Sequence, residues 1–118
     1  MKWFSLVLAV HAGVAMSAPR DNFVQRHPER PVVIAHRGAS GLAPENTLAS
    51  IRLAASLGAE AVEFDVHRSA DGIPVVIHDS GLARTTNGRG SVRKQSFGAM
   101  QGLSAGAWFS PEFREEKI

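Results

Sequence analysis

The chain contains no cysteine, which excludes disulfides, thiolate metal sites and a cysteine nucleophile together. Any metal it holds must therefore be bound by carboxylates, histidines or water. Charge of one sign is equally scarce. Thirteen Lys and Arg stand against 11 Asp and Glu, a formal charge of +2, and no basic stripe of the kind that follows a phosphate backbone gathers the excess. A nucleic-acid partner is thereby not expected. No serine stands in a Gly-x-Ser-x-Gly elbow, and His36-Arg37-Gly38 with Ser40-Gly41 makes neither a Walker nor a Rossmann fingerprint. No apolar run reaches the roughly 20 residues of a membrane anchor, and no internal repeat or low-complexity segment stands out. What remains is 44% hydrophobic and 20% charged over 118 residues, the composition of one modest globular domain.

The start of the chain has its own texture. Lys2 precedes the apolar run Trp3 to Val10, and small residues follow as far as Ala15-Met16-Ser17-Ala18. Charged start, short apolar core and small residues at a cut are the layout of an export leader. Cleavage after Ser17 puts Ala15 and Ser17 at the two small positions. Residues 1–17 are accordingly expected to be a signal peptide outside the fold, with the processed chain periplasmic or secreted and not stably anchored in a membrane. Residues 18–30 read as a polar lead-in, and residues 31–118 as the domain.

Within that domain, Pro31-Val32-Val33-Ile34-Ala35 is a short β-branched run, the pattern of a strand buried on both faces. It stops at the glycine-bearing loop His36 to Gly41. From about Thr47, apolar residues at Leu48, Ile51, Ala54, Ala55 and Leu57 follow a helical period that ends at Gly58, with Pro44 and Glu45 at its beginning. Ala61 to Val66 predicts a second strand and Pro74 to Ile77 a third, with the turn Ser69-Ala70-Asp71-Gly72 between them. Strand, loop, helix and strand predict a parallel α/β architecture. Beyond Ser80 the rhythm is lost, and residues of about 82–113 read as an insertion.

Polar residues fall where these strands end. His36-Arg37 closes the first, Glu63 and Asp65 lie late in the second, and His78-Asp79 closes the third. In parallel α/β proteins ligands gather at the carboxyl ends of strands. Strand alternation sets Val62, Phe64 and Val66 on one face and Glu63 and Asp65 on the other. Two carboxylates sharing one buried face repel each other and lose hydration. A hard cation with oxygen ligands, Ca²⁺ or Mg²⁺, relieves both costs, whereas an edge strand with a wet polar face would need none. His36 and His78 are suited to acid–base work near neutral pH, and Arg37 offers a bidentate fork for phosphate oxygens. His67 shares the parity of Glu63 and Asp65 but sits where its strand is ending, and reads as structural.

Val33-Ile34-Ala35-His36-Arg37-Gly38, Pro44-Glu45-Asn46-Thr47, Glu63-Phe64-Asp65-Val66 and Val75-Val76-Ile77-His78-Asp79 together resemble the glycerophosphodiester phosphodiesterase family. Leu82 to Gly88 and Trp108-Phe109-Ser110-Pro111 add to the likeness. The resemblance implies the N-terminal part of a TIM (β/α)8 barrel with a family insertion. It implies Glu63 and Asp65 as ligands of Ca²⁺ or Mg²⁺, His36 and His78 as the acid–base pair, and Arg37 on the phosphate, with Glu45 and Asp79 in support. The substrate class would be glycerophosphodiesters, split into glycerol 3-phosphate and an alcohol.

The pattern also departs from the family. Its third metal carboxylate and a phosphate-binding lysine belong to a later Glu-x-Lys strand, expected beyond Ile118. Glu115 and Lys117 are not assigned those roles, because no apolar strand precedes them. A barrel of this type needs about 250 residues, so the chain reads as a truncated portion with an unpaired sheet edge. Two alternatives stand beside the phosphodiesterase reading: an inactive remnant of such an enzyme, and a lipid phosphodiesterase of the sphingomyelinase D type.

Overall fold

The computed structural model describes Ser5–Ala9, as backbone, and residues 30–118. The cleavage point expected at Ser17 and the lead-in through residue 29 lie outside the described residues. One sheet organises the chain. Its members are β1 (Ser5–Ala9), β2 (Ile34–His36), β3 (Ala61–Arg68) and β4 (Pro74–Val76), with the eight-residue β3 at the centre. β2 runs parallel to β3 in the register Ile34↔Ala61, Ala35↔Val62, His36↔Glu63. The parallel α/β expectation holds for that pair, with helix α1 (Leu48–Ser56) as the crossover.

Two expectations are corrected. Pro74–Val76 is not a parallel strand: β4 returns antiparallel to β3, from Val66↔Val76 to Arg68↔Pro74. A parallel connection needs a crossover of a dozen or more residues, and Ser69–Ile73 is far too short. The turn closes instead as a hairpin, with Ser69 N–H donating to the Ile73 carbonyl at 2.9 Å. The run at residues 31–35 is not buried on both faces, since Val33 and Ile34 are exposed and the strand is only Ile34–His36. Among the described residues, β3 is the one strand that pairs with it. Ser5–Ala9 pairs antiparallel with β3 from Ser5↔Asp65 to Ala9↔Ala61. An open edge of a central strand presents unpaired N–H and C=O groups, and an apolar extended segment satisfies them. Removal of a leader ending at Ser17 would reopen that edge.

Hydrogen bonds give the level at which the site forms. The Glu63 carbonyl accepts from Arg37 N–H at 2.8 Å, and the Asp65 carbonyl accepts from Ile77 N–H at 3.0 Å. Carbonyls two residues apart on a strand point to the same side, so β4 continues along the edge that β2 leaves. His36 and His78 therefore approach β3 from opposite directions and stop beside Glu63 and Asp65.

Helix α1 begins later than Pro44–Glu45. Asn46 has φ 60°, a left-handed conformation that breaks any helical path before it. Thr47 is the cap: its hydroxyl accepts from Ser50 N–H at 3.3 Å, and the Ser50 hydroxyl accepts from Thr47 N–H at 3.3 Å, a reciprocal capping box. Gly58, at φ 86°, follows the helix end in the conformation glycine adopts without penalty. The helix sits close to the loop after β2, where the Ser50 hydroxyl also reaches the Arg37 carbonyl at 3.0 Å. Gly38, at φ 80°, lies directly against Ser50, and any Cβ there would overlap it.

The main buried cluster lies under the segment after Ser80. Val75, Ile77, Leu82, Val92 and Met100 form it, with Phe97, Leu103 and Ile118 against its rim. The segment contains the short helix α2 (Phe97–Met100) and two single 3₁₀ turns, Val92–Lys94 and Pro111–Phe113. Its apolar residues cover one side of the hairpin and so hold β4, and His78 after it, in place.

Candidate active site

The sequence alternation is realised on β3. Glu63 lies opposite His36 in the β2 register, and their side chains meet on one face, with His36 Nε2 3.8 Å from Glu63 Oε2. His36 is 68% exposed and Glu63 only 15%. Glu63 Oε2 is buried and has no hydrogen-bond partner. A buried carboxylate oxygen left without a donor carries a desolvation cost that a neighbouring cation would remove.

Asp65 is held differently. Asn46 grips it twice, its side-chain N–H donating to Asp65 Oδ2 at 3.0 Å and its carbonyl oxygen accepting from Asp65 N–H at 3.2 Å. Arg37 Nε stands 3.1 Å from the same Oδ2, close enough for charge attraction but not aligned as a hydrogen bond. Arg37 also donates from Nη1 to Glu45 Oε1 at 3.3 Å. Both Arg37 and Asn46 have positive φ, 59° and 60°. Non-glycine residues in that region carry strain that the surrounding structure must hold, and here the strain aims both side chains at Asp65.

The other half of the site is centred on Arg84. Its Nε donates to Asp79 Oδ2 at 2.8 Å and one Nη2–H to Asp79 Oδ1 at 3.0 Å. On its far side, Nη2 and Nη1 donate to Glu45 Oε1 and Oε2 at 2.7 and 3.0 Å. Asp79 Oδ1 is also 2.7 Å from His78 Nδ1. Arg84 first and His78 second hold the Asp79 carboxyl down to about 2. Hydrogen bonding from Arg84 likewise lowers Glu45, and the two carboxylates raise Arg84 above the usual arginine range. A continuous chain of contacts thus runs Asp65–Arg37–Glu45–Arg84–Asp79–His78. His67 is buried, and its ring Nε2 lies 2.8 Å from the His78 carbonyl oxygen, which fixes the backbone just beyond β4.

The residues singled out from the sequence are therefore brought to one rim in two groups: His36 with Glu63, and Asp65, Arg37, Glu45, Asp79 and His78 through Arg84. Among the described residues, no three His, Asp or Glu side chains converge as a metal cage. Arg84 and Asn46 were not among the residues singled out. Both sit in segments that carried the family likeness, but a turn arginine and a loop asparagine give no chemical signal until their partners are known.

Comparison with known proteins gives the family. The family model for the glycerophosphoryl diester phosphodiesterase family matches residues 36–118. Bovine (Bos taurus) glycerophosphodiester phosphodiesterase 1 is 48% identical over 115 residues, covering 96% of this chain and 35% of that protein. A glycerophosphodiester phosphodiesterase from Agrobacterium tumefaciens superposes with a TM-score of 0.74 at 44% identity, over 75% of this chain and 38% of that one. An Oleispira antarctica phosphodiesterase, solved in complex with the product sn-glycerol-3-phosphate, gives 0.72 at 52% identity over 75% and 36%. The chain spans about a third of the length of the curated relatives it matches, and its partial α/β sheet corresponds to the N-terminal part of their TIM-barrel fold. With the family pattern matched from His36 to Ile118 and the fold shared with solved members, the chain belongs to the glycerophosphoryl diester phosphodiesterase family.

Proposed function

We propose that the rim of β2, β3 and β4 is the site of a metal-dependent phosphodiesterase that hydrolyses glycerophosphodiesters to glycerol 3-phosphate and an alcohol. One observation carries the proposal: the buried, unpartnered Glu63 Oε2 lies 3.8 Å from His36, on the face that Glu63 shares with Asp65. That is a local excess of negative charge with an acid–base group beside it. The product-bound Oleispira antarctica relative supplies the substrate class.

Glu63 and Asp65 fit a hard cation in donor type, and Glu63 in its unmet need for one. Asp65 Oδ2 is engaged by Arg37 and Asn46, which leaves Oδ1 as its donor. These two residues would hold Ca²⁺ or Mg²⁺, together with a third carboxylate expected from a later strand. The bound ion would polarise a phosphoryl oxygen and offset the charge of the two carboxylates. Arg37, oriented by Glu45, faces the phosphate. One imidazole takes a proton from water as the water oxygen bonds to phosphorus, and the P–O bond to the alcohol breaks. The departing alcohol oxygen takes its proton from the other imidazole. With Asp79 ionised and accepting at 2.7 Å, His78 Nδ1 is the donor and Nε2 the acceptor in the neutral ring. His78 is therefore set up as the base and His36 as the acid.

The test is release of glycerol 3-phosphate from glycerophosphocholine with and without a chelator. Activity that disappears with the chelator and returns with Ca²⁺ or Mg²⁺ supports the metal assignment; an unchanged rate removes it. We propose further that residues 1–17 direct export, supported by the charged start and apolar core of that segment. Mature protein whose N-terminus is Ala18 is the expected result, and an intact Met1 in exported protein would refute it.

A further inference from the structure

Arg84 is 43% exposed on its side chain, and an exposed arginine ion pair ordinarily contributes little to folding. Its surroundings are nonetheless more ordered than such a role requires. All four of its hydrogen bonds are 2.7–3.0 Å long and go to two carboxylates from different loops. Glu45 belongs to the loop between β2 and α1, and Asp79 follows β4. Each carboxylate has a second partner inside the site: Arg37 for Glu45 at 3.3 Å and His78 Nδ1 for Asp79 at 2.7 Å. The planar guanidinium satisfies this geometry because its fork can meet two carboxylates edge-on at once, which a point-charge ammonium cannot.

We propose that Arg84 is a positioning residue: by bridging Glu45 and Asp79 it holds the Asp79 carboxylate against His78 Nδ1, so that His78 presents Nε2 to the substrate in a single tautomer. The same bridge ties the phosphate-facing loop of Arg37 to the histidine loop across the mouth of the site. Without Arg84, Asp79 keeps only His78 as its side-chain partner and is free to turn toward water, and the imidazole loses its orientation. Arg84 touches neither Glu63 nor Asp65 directly, and reaches Asp65 only through Glu45 and Arg37. The proposal deepens the reading of His78 as an acid–base group and rests on it.

The test reads the ring directly, without substrate. In ¹⁵N-labelled protein, at a pH high enough to leave the imidazole neutral, long-range ¹H–¹⁵N correlation distinguishes the two tautomers, with His78→Gln assigning the signal. The wild-type chain is expected to show His78 fixed in the Nδ1–H form. Arg84→Ala and Arg84→Lys should both move its two ring nitrogens toward averaged positions, since an ammonium in place of the guanidinium lacks the planar fork that meets both carboxylates at two points each. In an active preparation kcat should fall on the order of tenfold or more with a smaller change in KM, the signature of lost orientation. A fixed Nδ1–H form in both variants would overturn the proposal, as would its absence in the wild type. Loss of the far-UV circular dichroism spectrum in both variants would make Arg84 a residue of the fold and overturn it equally. Failure of hydrolysis in the wild type, with the tautomer behaving as described, would count against the proposed activity and leave the Arg84 bridge standing.

Discussion

Gly38 allows a steric effect to be separated from a conformational one. It has φ 80°, and a Cβ placed there would lie 2.6 Å from the backbone carbon of Ser50. Gly58 has φ 86° with nothing within 4 Å, and Gly41 has neither constraint. Alanine in the left-handed region costs about 1–2 kcal/mol, so Gly58→Ala should lose that much and no more. Gly38→Ala carries the same penalty and must also push α1 off the loop, which adds roughly 1–3 kcal/mol of overpacking. The total of about 2–5 kcal/mol is a large part of an ordinary domain's stability. Gly41→Ala should stay within about 0.5 kcal/mol of wild type. Urea unfolding followed by circular dichroism gives the comparison. With a slope of about 1–2 kcal/mol per molar, the extra 1–3 kcal/mol should put the Gly38→Ala midpoint below that of Gly58→Ala by roughly 0.5–3 M. Equal midpoints for the two variants would refute the close packing of Ser50 on the loop. Because that packing also carries the Arg37 carbonyl, Gly38→Ala should lose phosphodiesterase rate as well as stability.

Other outcomes follow from the same contacts. The Asp79 carboxyl, depressed from the ordinary 3.8 to about 2, contributes stability that is fully present above pH 3.8 and lost as pH falls through about 2. Urea midpoints taken from about pH 5 downward should therefore drop more steeply for wild type than for Asp79→Asn, and parallel curves would show that the Arg84–Asp79 pair adds nothing. Thr47→Ala removes the helix cap and should cost about 1 kcal/mol, read as a lower urea midpoint; an unchanged midpoint would mean α1 does not depend on the capping box. His36→Ala and His78→Ala should each lower kcat on glycerophosphocholine on the order of 10²-fold or more, and full activity in either variant would remove that histidine from the mechanism.

Several site elements were legible because they depend on local periodicity. The parity of Glu63 and Asp65 on one face of β3 follows from strand alternation alone, and the register His36↔Glu63 realises it. The direction of β4 was legible as well, since the Ser69–Ile73 connection is too short for a crossover; the parallel reading fails on that length. The start of α1 was harder. Pro44 and Glu45 suit a first helical turn by composition, but Asn46 holds its backbone in the left-handed region to reach Asp65, and Thr47 becomes the cap. The burial assigned to residues 31–35 required a second neighbouring strand, which the described residues do not supply.

By itself the sequence determined which residue types could do chemistry, the strand ends on which they fall, the faces of β3 and the family pattern, all of which are local or nearly so. The tertiary structure alone decided which charges share hydrogen bonds. Arg84 meets Glu45 across 39 positions of chain, Asn46 meets Asp65 across 19, and neither pairing has a periodicity that would announce it. A charged side chain's role is set by the partners that surround it, and those partners are fixed only when separate loops are packed onto the same strand.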